Sequence, residues 1–398
     1  MKQFSEEKSK GPCRIICNDS YQPENAVFIN GSLGNIYEMD DIHRTSILHP
    51  GPVVIPAALA AAQYTNSNSK SFLKAIVLGY EAMIRIGESV GLDHYKFFHN
   101  TASCGPFGAT VAAGIIFDLS DDEIIYALGN AGSLSGGFWQ MRKENVMTKQ
   151  LHNAHAARSG YVAAALAKKG MTGPKYILEG SLGFYKAVCP NPNPDRVTKD
   201  CEGHWKIFDT SFKIWAACRH AHPAIDAMLK IKKKINSNNI SKVIIKTYND
   251  AVLFCDNECP NTILEAKFSL QHVSAICILD GPPNLESFES KNYNRKDIVE
   301  LRKKIRVESN INYTNLYPNH YGASVEILMN DGESFFSEVS DALGDPDNPI
   351  EKEQLINKAK ELMLEGGMNL SKVNKIIENT FLLEDGLSLN TLSDLLKL

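Results

Sequence analysis

Alanine and glycine dominate residues 53–183, and the apolar side chains between them recur at helical spacing. In the run SFLKAIVLGYEAMIRIGESVG, for example, Phe72, Ile76, Tyr80, Met83 and Ile84 fall mostly on one face of a helix. Small side chains every few positions let neighbouring helices approach closely. This region therefore predicts a compact helical domain.

Two helix starts are predicted inside this region. Pro56 lies early in the run VVIPAALAAAQ, and proline is common in the first turn of a helix. Ser120 and the three acidic residues after it lead into the run DDEIIYALGNAGSL, which is typical of an N-cap and first turn. Helices are therefore expected to begin near Pro56 and Ser120.

Residues 212–339 have a different pattern of residue types. The run SKVIIKTYND mixes β-branched and polar residues, as a half-buried strand does, and Asp331-Gly332 in SVEILMNDGESFFSEV predicts a β-hairpin. The runs DAMLKIKKKI, FSLQHVSAICILDG and KDIVELRKKI predict helices, and the sequence becomes helical again from Asn348. The chain is therefore predicted to be mainly α, with a smaller α/β (α+β) region.

The 398 residues include 42 basic and 46 acidic side chains, a net charge near −4. This balance argues against a general nucleic-acid binder or a protein of anionic membrane surfaces. The longest apolar stretch is about half of the ~20 residues that a membrane-spanning helix needs, and the polar start MKQFSEEKSK is unlike a secretory leader. Nine scattered cysteines favour reduced thiols, so we expect a cytoplasmic protein.

Carboxylates and imidazoles are dense just before the first Ala-rich run. Glu38, Asp40 and Asp41 are followed by His43 and His49. Such a group can ligate a divalent metal or carry out acid–base chemistry. The alternative is that Glu38 and Asp41 cap or support a helix end, because acidic residues are common near helix starts.

A single histidine stands out in the run KFFHNTASCGPFGA. Two aromatic residues precede His99, and small residues follow it into an Ala-rich helix. Partial desolvation at a helix entrance shifts the pKa of an imidazole and suits proton transfer. The alternative is a histidine of the core whose hydrogen bonds are satisfied.

Two groups of cationic side chains occur in the runs TKQLHNAHAARSG and FKIWAACRHAHPAID. Lysine and histidine amid apolar neighbours suit the binding of carboxylates better than that of a metal, because no acidic partner stands at ligand spacing. The alternative for each group is a solvent-facing basic strip. The residues concerned are Lys149, His152, His155, Arg158, Lys213, Arg219, His220 and His222.

Other cofactor motifs are weak. Two cysteine pairs, Cys13/Cys17 and Cys255/Cys259, have a ligand-like spacing for zinc but no glycine-rich knuckle, and they lie far apart in the sequence. The glycines at 132, 136 and 137 match neither a dinucleotide fingerprint nor a P-loop, and no GxSxG elbow is present. Hydride transfer and elbow-type serine hydrolysis are therefore unsupported.

Taken in order, several segments are similar to sequences of the MmgE/PrpD family. That family includes 2-methylcitrate dehydratases, cis-aconitate decarboxylases and an iminodisuccinate epimerase. The matching runs lie within residues 30–281 and are NGSLGNIYEMDDIH, LHPGPVVIPAALAAAQ, AIVLGYEAMIRIG, FHNTASCGPFGATVAA, TKQLHNAHAARSGYVAAALAKKGMTGP, FKIWAACRHAHPAIDA and AKFSLQHVSAICILDG.

The resemblance implies a homodimer whose subunit has a large all-helical domain, residues 1–211 with 343–398, and a smaller α/β lid domain, residues 212–342. Because no complete metal, nucleotide or flavin motif stands beside the abundant lysines and histidines, we also expect catalysis without an added metal or organic cofactor. Members of the family usually begin with a longer helical stretch, so the N-terminus here is expected to be short. Either a partner then supplies that surface or some helical core is exposed.

Carried over residue by residue, the resemblance places five site positions of the decarboxylase branch on Glu38, His49, His99, Lys149 and Lys213. The departures are Glu38 where the decarboxylases have Asp, Ile42 where they have Thr, an additional residue before His49, and His272 where their lid tyrosine aligns. These changes alter the shape and protonation of the pocket.

The shared difficulty of the family's reactions is negative charge that develops on carbon next to a carboxylate. Lys149 and Lys213 are expected to hold and stabilise that group, and His99 is expected to move the proton. His152 and His49 assist, and Glu38 and Asp41 orient the histidines. The remaining residues assigned to substrate binding are His272, Arg219 and His222.

The first expectation for function is dehydration of a small polycarboxylate of the 2-methylcitrate type. The alternatives are a cis-aconitate-type decarboxylase and an iminodisuccinate-type epimerase. Two further alternatives lie outside these reactions. One is a metalloenzyme built on Glu38, Asp41, His43 and His49, and the other is an inactive carboxylate-binding or scaffold protein.

Overall fold

The computed structural model describes residues 10–16, 19–144 and 146–396. The chain divides into two compact units. The first, here called the helical unit, comprises Met1–Ile36, Asp41–Thr210 and Glu351–Leu398. The second, here called the mixed unit, comprises Tyr37–Asp40 and Ser211–Ile350. Helices predominate in the chain, as the sequence predicted.

The α-helices are numbered in chain order. They are α1 Pro23–Leu33, α2 Gly51–Thr65, α3 Ser69–Tyr95, α4 Asn100–Ile116, α5 Asp121–Ser133, α6 Thr148–Ala167, α7 Phe184–Val188, α8 Asp195–Thr198, α9 His222–Ile231, α10 Asn249–Cys255, α11 Ile263–Lys267, α12 Leu270–Leu279, α13 Ser290–Tyr293, α14 Lys296–Arg302, α15 Ile311–Leu316, α16 Lys352–Glu365, α17 Leu370–Phe381 and α18 Leu389–Leu395. No helix in the described part of the chain has the length and apolar character needed to cross a membrane.

The strands are short outside the mixed unit. They are β1 Lys10–Arg14, β2 Ser20–Tyr21, β3 Ile42–His43, β4 Thr210–Ser211, β5 Ile240–Thr247, β6 Ile305–Ser309, β7 Ala323–Met329 and β8 Ser334–Val339. In the mixed unit four strands form a sheet in the order β6-β5-β7-β8, with β5 and β6 parallel and the other two pairs antiparallel.

Small residues let the helices of the helical unit pack closely, as the composition predicted. A Cβ atom added at Gly160 in α6 would lie 2.4 Å from the Pro106 carbonyl oxygen of α4. A Cβ atom added at Gly108 in α4 would lie 2.5 Å from Cβ of Met83 in α3. Because no side chain fits at these crossings, glycine is required there and the backbones approach one another directly.

One of the two predicted helix starts is confirmed and the other is wrong. Ser120 caps α5 and forms a reciprocal capping box with Glu123. Pro56 instead lies inside α2, which begins at Gly51. The helix starts earlier because the Asp41 carboxylate accepts a hydrogen bond from the Gly51 N–H group (3.0 Å), which satisfies a donor of the first turn.

In the mixed unit, the core lies between the sheet and helices α9 and α12. Met228 of α9, Ile276 of α12 and Val243 and Val325 of the sheet are all buried in it. The predicted strand at β5 and the hairpin from β7 to β8 are confirmed, with Gly332 in the turn at φ +91°.

The run KDIVELRKKI differs from its prediction. It is helical only through Arg302 and then becomes strand β6, which pairs parallel with β5. The reason is the distant partner: Val243 of β5 pairs with Ile305, which places Ile305 in the core. The helix or strand preference of a short run does not reveal that it will pair with a strand far away in the sequence.

The unit boundaries also differ from the predicted 211/212 and 342/343. Residues 343–350 belong to the mixed unit because the loop is tied to it: the Leu343 N–H group donates to Asp226 (2.7 Å) and the Phe212 N–H group donates to the Gly344 carbonyl (2.9 Å). The short segment Tyr37–Asp40 belongs there as well, since the Lys267 ammonium donates to the Tyr37 carbonyl (2.9 Å).

Candidate functional site

His99 stands at the N-cap position of α4 and is buried, with 2% of its surface exposed. Its backbone N–H group donates to the Gly137 carbonyl (2.9 Å), and its own carbonyl accepts from Ala102 and Ser103 in the first turn. The backbone is therefore held on both sides of the residue, which fixes the position of the imidazole.

The imidazole of His99 pairs with that of His152 in α6. The two Nδ1 atoms are 3.2 Å apart, so one of them carries a proton that the other accepts. Burial, together with the nearby His155, lowers the pKa of His152 to about 4. At neutral pH the pair therefore contains a neutral His152 and one shared proton, an arrangement suited to accepting or delivering a proton.

An aromatic platform that the sequence analysis missed lies beside this pair. The Trp139 ring lies 4.6 Å from the His99 ring, centroid to centroid, and Tyr95 meets Trp139 edge-on at 5.6 Å. Gly137, at φ +105°, brings the loop to this position, and a Cβ atom there would lie 2.4 Å from Cβ of Ala102. The glycine-rich run at 132–137 thus allows a close approach to His99.

Lys149 lies in the first turn of α6, three residues before His152. Residues at this spacing share a face of a helix, so Lys149 and His152 leave α6 on the same side. Lys149 is only 8% exposed. The helix therefore places a buried cation one turn before His152, and its carboxylate-binding role stays a prediction.

His49 is held by the loop that precedes α2. Its Nδ1 atom donates to the Asp41 carbonyl (2.7 Å), and its backbone N–H group donates to the Thr101 hydroxyl of α4 (3.0 Å). The Nδ1–H tautomer leaves the Nε2 lone pair as an acceptor. The backbone at Ile47 adopts φ +50°, which is strained for a β-branched residue and indicates that the surrounding fold imposes this loop conformation.

The Asp41 carboxylate supports the fold, a role that differs from both predicted ones, orienting a histidine and binding substrate. One carboxylate oxygen accepts from the Gly51 N–H group and the other from the Tyr80 hydroxyl (2.8 Å). Both oxygens are thus engaged in fastening the start of α2 to α3. This outcome matches the alternative in which Asp41 supports a helix start.

His43, a member of the predicted metal group, is completely surrounded by protein. Its Nδ1 atom is hydrogen-bonded to the Ser46 hydroxyl (2.8 Å), and burial lowers its pKa to about 4. Within the described residues, a three-ligand geometry for a metal ion occurs instead at His320, Asp341 and Asp347. The structure therefore gives the predicted metal group no geometric support.

The cysteine alternative likewise has no assembled site in the described part of the chain. Cys13 is buried and donates to the Ala60 carbonyl, and Cys17 lies outside the described residues. Cys255 is buried, whereas Cys259 is exposed.

The mixed unit carries a second ionisable cluster around Lys213, which is 1% exposed. Its Nζ atom lies 3.3 Å from a Glu38 oxygen and 3.4 Å from an Asp40 oxygen. Burial alone lowers the pKa of Lys213, but the carboxylates of Asp40 and Glu38 outweigh it and raise the pKa above its ordinary value. Lys213 therefore stays charged, and the cluster holds two carboxylates on one ammonium.

Glu38 reaches this cluster through an unusual backbone. It is 1% exposed and adopts φ +56°, a left-handed conformation that costs a non-glycine residue of order 1–3 kcal/mol. Such conformations persist where tertiary contacts outweigh their cost, and here the contact is the ion pair with Lys213.

Arg219 and His222, which were predicted to bind substrate, instead hold the loop that follows β8. The Arg219 guanidinium pairs with Asp345 and donates to the Leu343 carbonyl (3.4 Å) and to His222 Nδ1 (3.2 Å). His222 in turn donates from Nε2 to the Ala217 carbonyl (3.3 Å). Both side chains are buried and have structural partners.

His272, the residue aligned with the lid tyrosine, is buried in the mixed unit as the third residue of α12. Its Nε2 atom donates to the Ser287 carbonyl (2.8 Å), and its ring packs against Phe288. Burial lowers its pKa to about 4. Its position, like those of Arg219 and His222, differs from the predicted substrate contact, because no surface of the imidazole is exposed within the structure.

Three other members of the cationic groups lie apart from the histidine pair. His155 is exposed and lies beside Ser159, and Arg158 pairs with Glu24 at the surface. His220 is buried, and its Nδ1 atom is hydrogen-bonded to the Tyr248 hydroxyl (2.6 Å). Of the group in α6, the structure therefore joins Lys149 and His152 to the candidate site.

A second residue missed from sequence is Asn153, which follows His152 in α6. It is 1% exposed, and neither polar atom of its amide has a hydrogen-bond partner among the described residues. A buried amide without partners is costly in a core. The signal in the sequence was a polar residue in an otherwise Ala-rich helix.

Comparison with protein families matches both parts of the chain. The model of the MmgE/PrpD N-terminal domain matches residues 1–197, and that of the MmgE/PrpD C-terminal domain matches residues 215–381. Together the matches cover most of the chain.

Similar curated proteins carry related names. A cis-aconitate decarboxylase-like protein, oryM, of Aspergillus oryzae is 26% identical over 393 residues, 91% of this chain and 80% of that protein. The cis-aconitate decarboxylase of Homo sapiens is 27% identical over 397 residues, covering 93% and 79%, respectively. The cis-aconitate decarboxylase of Aspergillus terreus is 25% identical over 383 residues, covering 88% and 77%.

Proposed function

Because this chain belongs to the MmgE/PrpD family, we propose that it is a lyase that decarboxylates a small polycarboxylate of the cis-aconitate type. The observation that carries the proposal is the hydrogen-bonded His99–His152 pair, with Lys149 three residues before His152 on the same helix. The relatives named as cis-aconitate decarboxylases favour this reaction over the dehydration that was ranked first from sequence.

Decarboxylation breaks one carbon–carbon bond, releases CO₂ and leaves an electron pair that is delocalised toward a neighbouring carboxylate. Lys149 is proposed to hold that carboxylate and to stabilise its enediolate-like form. A proton must then be delivered to carbon, and the His99–His152 pair is proposed to deliver it. The low pKa of His152 keeps that ring neutral, so His99 is the member assigned the transferred proton.

Lys213 is proposed as a further cationic donor to the substrate. The Lys213 ammonium has three N–H donors, and Glu38 and Asp40 each accept a hydrogen bond from one of them. The third is available for a carboxylate oxygen. The two protein carboxylates then orient the ammonium and keep it charged.

The proposal includes no metal and no organic cofactor, since the reaction needs only a cationic cradle and a proton donor. Loss of turnover after EDTA treatment, with recovery on addition of one divalent ion, would contradict this part of it. The homodimer implied by the resemblance is also proposed, with analytical ultracentrifugation of the purified chain as its test.

Product analysis by NMR tests the reaction itself. The protein is incubated separately with cis-aconitate, 2-methylcitrate, citrate and iminodisuccinate, and His99→Gln serves as the matched inactive variant. We expect CO₂ release and a new five-carbon product from cis-aconitate with the parent protein. Water loss from 2-methylcitrate without decarboxylation of cis-aconitate would return the assignment to a dehydratase, and epimerisation of iminodisuccinate alone would assign an isomerase.

A further inference from the structure

A groove on the helical unit lies apart from the residues described above. It is formed where α1 begins, where α2 and α4 end, and along the C-terminal half of α6. Its volume is about 560 Å³, within the range of small-molecule sites. The size therefore suits a ligand rather than a single water molecule.

The walls of the groove are largely apolar. Ile116 and Phe117 contribute from the end of α4, and Val162 and Leu166 contribute from α6. Leu166 is 41% exposed, although it lies beside buried core residues. Such a surface gains free energy when an apolar ligand removes it from water.

Tyr161 supplies a polar group inside these walls. The residue is 6% exposed and lines the groove, so its hydroxyl is the neutral polar group that the aromatic wall offers. Its ring contacts Phe117 edge-on at 5.6 Å, which fixes its direction. Burial raises the pKa of Tyr161, so the hydroxyl stays protonated and can donate a hydrogen bond to a ligand.

Positive charge lies along one edge of the groove. Tyr161, Ala165 and Lys169 follow one another at intervals of four residues, so they lie along one face of the helix and its C-terminal cap. Lys168 adjoins the same edge, where its ammonium donates to the Asp118 carbonyl (2.8 Å). The acidic residue of the groove, Glu24, is already paired with Arg158 (3.2 Å), so the edge at Lys168 and Lys169 favours an anion.

We propose that this groove binds an amphipathic carboxylate, such as a medium-chain aliphatic acid. Its tail covers the apolar walls, and its carboxylate lies between the Tyr161 hydroxyl and the lysine edge. The small side chain of Ala165 leaves the space between these two polar groups. The site is independent of the proposed lyase activity, because no residue assigned to that activity lines it.

Isothermal titration with octanoate, below its micelle concentration, tests the proposal, with octan-1-ol as the uncharged analogue. We expect saturable binding of one octanoate per chain, weakened by added salt. Tyr161→Phe keeps the ring and removes the donor, so affinity should fall about tenfold. Lys169→Gln should weaken octanoate and leave octan-1-ol unchanged, whereas the exposed Lys375→Gln should change neither.

Ala165→Trp fills the groove and should abolish octanoate binding. If that variant does not fold, Tyr161→Phe and Lys169→Gln decide the question by themselves. The proposal is overturned if the parent protein does not bind octanoate saturably, or if binding is indifferent to Tyr161 and Lys169. A further result would also overturn it. If the parent protein forms a dimer and does not bind octanoate, and Ala165→Trp disrupts that dimer, then a second copy of the chain occupies the groove.

Discussion

The histidine pair of the helical unit and the lysine cluster of the mixed unit are both withdrawn from solvent to some degree, but they differ in charge. His152 has no carboxylate partner, and burial lowers its pKa to about 4, so it is neutral. Lys213 is more deeply buried than His152, but Asp40 and Glu38 keep its pKa above the ordinary value. A buried group therefore keeps its charge only where the fold supplies an opposite one. Proton transfer suits the first arrangement, and electrostatic binding suits the second.

The largest expected effect follows from removing the proton carrier. His99→Gln should lower kcat by about 10²- to 10⁴-fold, because a positioned acid–base group contributes about that much to a rate. The pH profile of the parent enzyme should also lose one limb in this variant. Steady-state kinetics with cis-aconitate provide the measurement, with the exposed His204→Gln as the control. A nearly normal kcat would show that another residue moves the proton.

Breaking the lysine cluster should mainly affect stability. Lys213→Met removes the ammonium that pairs with the buried Glu38 and Asp40, and breaking such a buried pair typically costs about 3–5 kcal/mol of the free energy of unfolding. Urea denaturation measures the change. Lys291→Met removes a lysine that pairs with two glutamates at the surface, and it should leave stability nearly unchanged. Equal effects in the two variants would mean that the buried cluster is solvated in solution.

Lys149 separates substrate binding from chemistry. Its ammonium is proposed to pair with a carboxylate that is charged before and during the reaction, so Lys149→Ala should raise KM about tenfold or more with little change in kcat. Lys149→Arg should recover part of the affinity because it restores the charge. A fall in kcat at unchanged KM would assign Lys149 to the transition state instead, and the contrast with His99 would disappear.

The last expected effect is a pH dependence of stability. His43, His152 and His272 have pKa values of about 4 in the folded chain, below the ordinary value near 6.5. The unfolded chain therefore binds more protons between pH 6.5 and 4, and stability falls as the pH falls through that range. Each histidine contributes at most about 1.4 kcal/mol per pH unit.

Urea denaturation of the parent and of His272→Gln at several pH values measures this slope. The variant should show a shallower fall between pH 6.5 and 4, whereas Lys213 adds no loss there because its pKa is raised. An identical slope in the two proteins would mean that His272 is protonated in the folded state.

Local sequence patterns predicted much of the secondary structure. The amphipathic run ending in ESVG forms α3, Ser120 starts α5, and Asp331-Gly332 turns the hairpin between β7 and β8. These features depend on side chains a few residues apart, so spacing and capping chemistry report them. Strand β6 was missed because its evidence lies sixty residues away, in β5.

The candidate site shows the same division. Residue type alone marked His99, His152, Lys149 and Lys213 as groups able to move protons or hold carboxylates. It marked Asp41, Arg219 and His222 equally, and the family resemblance added His272, yet the fold gives these four structural hydrogen-bond partners. Trp139 was not predicted to belong to the site, because the sequence of a loop does not reveal which other ring an aromatic residue will contact.

The amino-acid sequence was thus sufficient for the helical texture, the mixed second region, the family resemblance and the chemical repertoire of the site. The pairing of His99 with His152, and the choice between a charged Lys213 and a neutral His152, required the folded chain. Helix periodicity and capping are local properties of a few residues, whereas burial and the nearest counter-charge depend on segments up to 175 residues apart, as for Glu38 and Lys213.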